Sequence, residues 1–389
     1  MDIIVSSREL KGTIHLPPSK SEVIRVLILN ALIGIRPCAL IDSHKQYCDD
    51  IIAAANAVEK AFFDKGTFTE PIPVGASATL IRILAPILLF KDGSARFSCD
   101  ASLMRRDMKS LEKVLNCNVS YDHSDNIISF SGGRLNGEYY TVYAEKSSQF
   151  ASGMLIASAI KGFKVRVITL VSAPYIELTL ECLKSFGCSF KRFANGYFSP
   201  VGKLNAPERY SVRPDYSYAA NFIAADLIKG GGKRIRFEDD DESTAMEEAA
   251  IVDLMSRIKV DVANCPDLFP ILAVNALKRR ESTFIIGTGR LRDKESDRVA
   301  SVNALITALG GRMDEYVDSV MIYGCGGELY GGTVESFGDH RIVMAAAIAS
   351  LMCSEPVVIK GAESISKSAP CFFDDFRLLG GSADELVRK

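Results

Sequence analysis

The sequence predicts an α/β (α+β) fold in two domains, made of six α+β units in two groups of three around buried helices. Three observations lead there. At 389 residues the chain exceeds what one hydrophobic core usually supports. Six short polar clusters each run into an apolar helix candidate, with starts about 50 to 70 residues apart, and recurrence on a fixed scale signals structural repeats. Between those helices lie short β-like stretches.

The clusters are Ser19-Lys20-Ser21, Gly75-Ala76-Ser77-Ala78-Thr79, Ser147-Ser148-Gln149, Asp215-Tyr216-Ser217, Asp267 and Gly338-Asp339-His340. They lead into runs such as Leu80–Phe90, Phe150–Ile160 and Arg341–Met352, which are apolar almost all round, the mark of helices enclosed on every side. Val165–Val171, Phe284–Ile286 and Pro356–Ile359 read as strands. Ile176–Phe186 reads as a second helix, stopped by Gly187. Ser19-Lys20-Ser21-Glu22 matches a capping box, with Ser19 at the cap and Glu22 reaching back. Ser147, Ser148 and Asp339 are good helix caps in their own right. A helix start carries unpaired N–H groups and the positive end of the dipole, so several polar starts brought together would form an anion trap.

Composition narrows the partner. Hydrophobic residues make up 48% and charged residues 24% of the chain, ordinary for a globular protein. The net charge of −2, with Lys and Arg spread along the chain, argues against nucleic acid or an anionic membrane. A local basic cluster is then aimed at a small anion. The N-terminus lacks a basic leader with a long apolar run, and no apolar stretch reaches the eighteen or so residues of a membrane span. Ten cysteines without any Cys-x-x-Cys pair, and four histidines, give neither a disulfide framework nor zinc spacing. A cytoplasmic protein with reduced thiols and no metal is expected. No amphipathic surface stripe stands out, which points to a monomer.

The densest chemistry lies in Leu291-Arg292-Asp293-Lys294-Glu295-Ser296-Asp297-Arg298, with three cations and three carboxylates in seven positions. Its nearest echo is Ser19-Lys20-Ser21-Glu22-Val23-Ile24-Arg25. Lys20-Ser21-x-x-x-Arg25, Ser147-Ser148-Gln149, Lys294-Glu295-Ser296-Asp297-Arg298 and Asp339-His340-Arg341, in that order and in register with the six units, resemble the 5-enolpyruvylshikimate-3-phosphate synthase family. The likeness covers nearly the whole chain.

That resemblance implies a two-domain enolpyruvyl transferase fold, each domain three βαβαββ repeats, with crossovers near Pro18 and Arg213. Residues 1–17 with 214–389 would form one discontinuous domain, and residues 18–213 an inserted one. It further implies transfer of the enolpyruvyl group of phosphoenolpyruvate to the 5-hydroxyl of shikimate 3-phosphate, releasing phosphate, without metal or organic cofactor. By resemblance, shikimate 3-phosphate meets Lys20, Ser21, Arg25, Ser147, Ser148, Gln149, Ser172, Tyr175, Asp267 and Lys294. Phosphoenolpyruvate meets Lys20, Ala78, Arg106, Gln149, Arg298, Arg341 and Lys367. Cationic side chains suit these substrates because both are anions. Asp267 is the match for the base that takes the hydroxyl proton. Glu295 and Lys20 are both candidates for the proton given to, and later removed from, carbon. Asp297 orients its neighbours.

Several positions depart from the family pattern. Gly75-Ala76-Ser77-Ala78-Thr79 stands where Gly-Asn-Ala-Gly-Thr is usual, and Ala78 adds a methyl group where phosphoenolpyruvate approaches the backbone, which should disfavour the bulkier inhibitor glyphosate. Pro18 replaces a common glycine, Asp107 follows Arg106 in place of proline, and Arg290 replaces an asparagine. The Asp42–Phe68 stretch also differs, with Asp50 as counterpart of a family aspartate near Lys20. Two rivals remain. The sister transferase that acts on UDP-N-acetylglucosamine uses a loop cysteine, and Cys99 lies near Arg106, but at what reads as a strand end. A non-catalytic anion-binding homologue would need the cations but not the carboxylates Asp267 and Glu295.

Overall fold

The computed structural model describes residues 1–6, 9–40, 46–64, 70–145, 147–168, 171–238 and 242–386. Residues 169–170 of the expected Val165–Val171 strand, and residues 42–45 and 65–68 of the divergent stretch, lie outside that set. The chain divides into two compact units, Lys20–Arg213 and Met1–Ser19 with Pro214–Lys389. Where the chain leaves and re-enters the second of these, Pro18 bridges Pro214, and the Asp215 N–H donates to the Pro17 carbonyl at 2.8 Å.

In the Lys20–Arg213 unit, four helices matter for function: α1 (Lys20–Leu32), α2 (Ala78–Asp92), α3 (Gln149–Lys161) and α4 (Ala173–Ser185). The first three are enclosed nearly all round, as their unbroken apolar runs require. α2 and α3 stop at Gly93 (φ +76°) and Gly162 (φ +84°), left-handed positions that glycine adopts without strain. α2 joins strand Ile72–Gly75 to its parallel neighbour Ser94–Cys99, and α3 joins Tyr139–Tyr143 to Lys164–Ile168 in the same way. A parallel pair needs such a crossover. Each pair continues into two antiparallel strands, Ile127–Ser131 then Asn118–Asp122, and Tyr197–Gly202 then Cys188–Arg192.

The other unit repeats this plan with α5 (Tyr216–Ile228), α6 (Phe269–Leu277), α7 (Arg298–Ala308) and α8 (His340–Ala349). α6 crosses between the parallel strands Lys259–Asp261 and Thr283–Ile286, with Ser319–Tyr323 and Arg312–Glu315 completing the sheet. α8 crosses between Gly332–Glu335 and Val357–Lys360. That last sheet is closed by the N-terminal strand Asp2–Ser6, which lies antiparallel between Val357–Lys360 and Ser382–Glu385. Around α5 the sheet is reduced to two strands, Gly12–Ile14 and Ile235–Phe237. Four sheets among the described residues therefore have the full four strands. Each unit has its own core, with Ile24, Leu84, Phe97 and Leu155 in one and Phe222, Phe269, Ile306 and Ala346 in the other.

Two local expectations are corrected. The Arg341–Met352 run ends as an α-helix at Ala349 and closes with a 3₁₀ turn over Ser350–Met352. The capping box at Ser19 is replaced by long-range bonding. Glu22 is 3% exposed, and its Oε1 accepts from the Tyr210 hydroxyl at 2.7 Å while Oε2 accepts from Arg213 Nε at 3.0 Å. A buried carboxylate is better satisfied by a guanidinium and a phenol than by one backbone N–H.

Candidate functional site

Each unit gathers most of its candidate residues at helix N-termini, with Arg106 and Lys367 at the ends of 3₁₀ turns. In the Lys20–Arg213 unit, Lys20 opens α1 and its Nζ donates to Asp50 Oδ2 at 2.9 Å. One turn on, Arg25 is 1% exposed. Its Nε donates to Thr179 Oγ1 at 2.8 Å, Nη1 to the Ser21 carbonyl at 2.6 Å, and Nη2 to Ser152 Oγ and the Tyr175 carbonyl, each at 3.2 Å. Arg25 thus ties the first turns of α1, α3 and α4 together. Its charge is held by neutral oxygens, and burial lowers its pKa.

At the start of α3, the Ser147 hydroxyl accepts from the Gln149 N–H at 3.3 Å, while Ser148, 2% exposed, makes no side-chain cap bond. Ser172 begins α4 with φ +55°, a left-handed conformation for a residue with a side chain, held in a buried position. Ala78 is the first residue of α2 and is buried; Ser77 before it is 2% exposed. Arg106 is buried just after the Leu103–Arg105 turn, and its carbonyl accepts from the Tyr121 hydroxyl at 3.2 Å.

This half also contains residues that sequence reasoning passed over. Arg82 Nη1 donates to Gln149 Oε1 at 3.0 Å, and Gln149 Nε2 donates to Thr79 Oγ1 at 2.7 Å. A lone arginine inside the apolar run of α2 was the available signal.

In the other unit the centre is Arg298, first residue of α7 and 1% exposed. Nη1 donates to Asp267 Oδ1 at 2.8 Å, Nη2 to Glu295 Oε2 at 2.8 Å and Nε to Asp339 Oδ2 at 2.9 Å. Asp267 sits in the turn before α6, and Arg341 Nη2 lies 3.5 Å from its other oxygen. Lys367 Nζ donates to Glu295 Oε1 at 3.3 Å. Asp339 caps α8 by accepting the Arg341 N–H at 2.9 Å. Asp297 caps α7 through the Ala300 N–H at 3.1 Å and pairs with Arg292. Arg290 donates to the Ala263 carbonyl.

The electrostatics follow from this alternation of charge. Removal from water would raise the Asp267 pKa, but Arg341, Lys294 and Arg298 overcome it and hold the carboxyl well below the usual carboxylate range. Burial pulls Lys294 down to about 8, assisted by Arg298 and Arg290 and opposed by Asp267 and Glu295. Arg298 loses solvation too, yet Asp339, Glu295 and Asp267 raise its pKa and keep it charged. A carboxylate kept ionised among cations, beside an amine that titrates near neutrality, can bind anions and move protons. Cys99 offers no such chemistry. It ends strand Ser94–Cys99, its Sγ donates to the Asn126 carbonyl at 3.3 Å, and burial pushes the thiol up to about 11.

Among known families, the profile of EPSP synthase (3-phosphoshikimate 1-carboxyvinyltransferase) matches residues 4–254 and 232–376. A 3-phosphoshikimate 1-carboxyvinyltransferase of Clostridioides difficile (strain 630) is 32% identical over 432 residues, covering 97% of each chain. One from Pyrococcus abyssi is 34% identical over 406 residues, covering 96% of each. In three dimensions the chain resembles an EPSP synthase from Acinetobacter baumannii (TM-score 0.73, 21% identity, 99% of this chain and 100% of that one). It also resembles the enolpyruvyl transferase NikO of Streptomyces tendae (TM-score 0.71, 13% identity, 98% of each). At those identities the structural likeness speaks to the fold.

Proposed function

Because the chain belongs to the EPSP synthase family, we propose that it transfers the enolpyruvyl group of phosphoenolpyruvate to the 5-hydroxyl of shikimate 3-phosphate. The products are 5-enolpyruvylshikimate 3-phosphate and phosphate, on the route to chorismate and aromatic amino acids. The observation that carries the reading is the pairing of Arg298 with both Asp267 and Glu295, each carboxylate also held by a second cation. An anion-binding module would need the cations alone.

Shikimate 3-phosphate is assigned to Lys20, Ser21, Arg25, Ser147, Ser148, Gln149, Ser172, Tyr175, Asp267 and Lys294. Phosphoenolpyruvate is assigned to Lys20, Ala78, Arg106, Gln149, Arg298, Arg341 and Lys367. In the addition step the acceptor oxygen attacks the substituted carbon of phosphoenolpyruvate, its proton passes to Asp267, and the methylene carbon takes a proton from Glu295 or Lys20. In the elimination step that methyl carbon gives a proton back and phosphate leaves. A substrate carboxylate competing for Arg341 and Arg298 loosens their hold on Asp267 and raises its basicity as the site fills. The acting form is a monomer in the cytoplasm, using no metal or organic cofactor. Among the described residues, no helix is long and apolar enough to cross a membrane.

The test is phosphate release from phosphoenolpyruvate, with shikimate 3-phosphate or UDP-N-acetylglucosamine as acceptor. Release with the first acceptor and none with the second is expected. Release with UDP-N-acetylglucosamine alone, or with neither, overturns the reading.

A further inference from the structure

Gln149 is assigned to both substrates, yet a carboxamide is ambiguous: it can meet an anion with its N–H or repel it with its oxygen. The surroundings of Gln149 remove the ambiguity. Arg82 Nη1 lies 3.0 Å from Oε1, and a guanidinium has donors only, so the oxygen must face Arg82. Nε2 then faces Thr79, whose hydroxyl accepts one of its two N–H groups at 2.7 Å. The second N–H is left to meet a ligand.

Arg82 is itself held at both ends. Its Nη2 donates to the Asp107 carbonyl at 2.9 Å, and its guanidinium carbon lies 5.9 Å from the centroid of the Phe150 ring. The close crossing of α2 and α3 makes this reach possible. Gly153 lies one turn beyond Gln149, and a Cβ there would come within 2.6 Å of the Ile83 carbonyl and 2.9 Å of the Arg82 carbonyl. Pro86, four residues after Arg82, cannot donate the helix bond that the Arg82 carbonyl would otherwise accept. The α2 backbone at Arg82 therefore packs directly on the glycine.

We propose that Arg82 is a positioning residue: it fixes the Gln149 carboxamide so that an N–H, and not the oxygen, meets an anionic oxygen of the substrates. The proposal rests on the assignment of Gln149 as a substrate ligand. Lysine would be a poor replacement, because a point donor cannot bond Gln149 and Asp107 at once in a fixed plane.

Two measurements test it. In Arg82→Met the KM for phosphoenolpyruvate should rise about tenfold with kcat changed less than about threefold. In a Gln149→Ala background, Arg82→Met should change that KM less than about twofold, because its target is gone. Equal effects in both backgrounds overturn the proposal. The second readout needs no substrate. The side-chain NH₂ pair of Gln149, identified in nitrogen-15 NMR spectra by its loss in Gln149→Ala, should be resolved and slow to exchange in the parent protein. In Arg82→Met it should move to solvent-exposed glutamine positions. An unmoved pair overturns the proposal, whatever the turnover. A parent protein inactive with both acceptors counts against the functional reading instead, and the NMR result still decides the role of Arg82.

Discussion

Arg298 Nε lies 2.9 Å from Asp339 Oδ2, and the two side chains are 1% and 0% exposed. Asp339 does two jobs at once: one oxygen caps α8, and the other accepts from the Ser296 hydroxyl and from Arg298 Nε, tying the start of α7 and the loop before it to the start of α8. The pair links two helix starts that carry candidate ligands, Arg298 and Arg341.

Without Asp339, buried Arg298 keeps Asp267 and Glu295 but loses one charged hydrogen bond, and α8 loses its cap, together a cost of about 2–4 kcal/mol. Asp339→Ala is therefore expected to lower the denaturant midpoint sharply. Asp339→Asn keeps an acceptor for the Arg341 N–H and should fall between the two. Equal stability of Asp339→Ala and the parent in urea unfolding would contradict this account.

Lys294 titrates near 8 in the folded chain, against an ordinary value of 10.5. The unfolded chain thus binds more protons between those values, and stability rises with pH across that window. Below about 8 the folded state bears the full desolvation penalty of this half-buried ammonium. Lys294→Met is expected to stabilise the protein at pH 7 while weakening shikimate 3-phosphate binding. The parent should also lose kcat/KM for that substrate as pH rises through about 8, a limb absent from Lys294→Met. Unfolding curves and rate profiles at pH 7 to 10 check both parts.

Gly153→Ala places a methyl group 2.6 Å from both the Ile83 carbonyl and Pro86 Cγ. Backbone cannot swing aside as a flexible side chain can, so α2 and α3 must separate. A loss of about 1–3 kcal/mol is expected. Circular dichroism during urea unfolding measures it.

Cys99→Ser should leave phosphate release within about twofold of the parent, because a thiol held near 11 is scarcely ionised at neutral pH. Loss of turnover in that variant would restore the cysteine-dependent rival reading.

What was legible in the sequence was what local physics dictates. The apolar runs after Thr79, Gln149 and His340 could only be enclosed helices, and Asp339 reads as a cap because the next residues are helical. The motif residues also fall where helix starts collect them. Hidden from the sequence were partners set by tertiary structure. Glu22 looks like a capping-box residue until Tyr210 and Arg213, 188 and 191 positions away, claim its carboxylate. Arg82 looks like an incidental charge in a buried helix until α3 brings Gln149 against it. Arg25 reads as a ligand arginine, and the sequence could not reveal that hydroxyls and carbonyls of three helices already hold it. Asp293 is exposed, and nothing in the structure explains its place in the charged motif.

The strand Asp2–Ser6 finds its neighbours only at the far end of the chain, where Ile3 pairs with Ile359 and Glu385. Synthesis runs from the N-terminus, so this strand is made long before the strands Val357–Lys360 and Ser382–Glu385 between which it lies. The Lys20–Arg213 unit has every contact of its own core in hand long before then, and domains generally fold as units while the chain grows. Asp2–Ser6 must therefore wait without its sheet partners until those strands have been made. That order makes the unit of Met1–Ser19 with Pro214–Lys389 the later one to complete, and leaves Asp2–Ser6 an unpaired edge in any chain cut short of Val357.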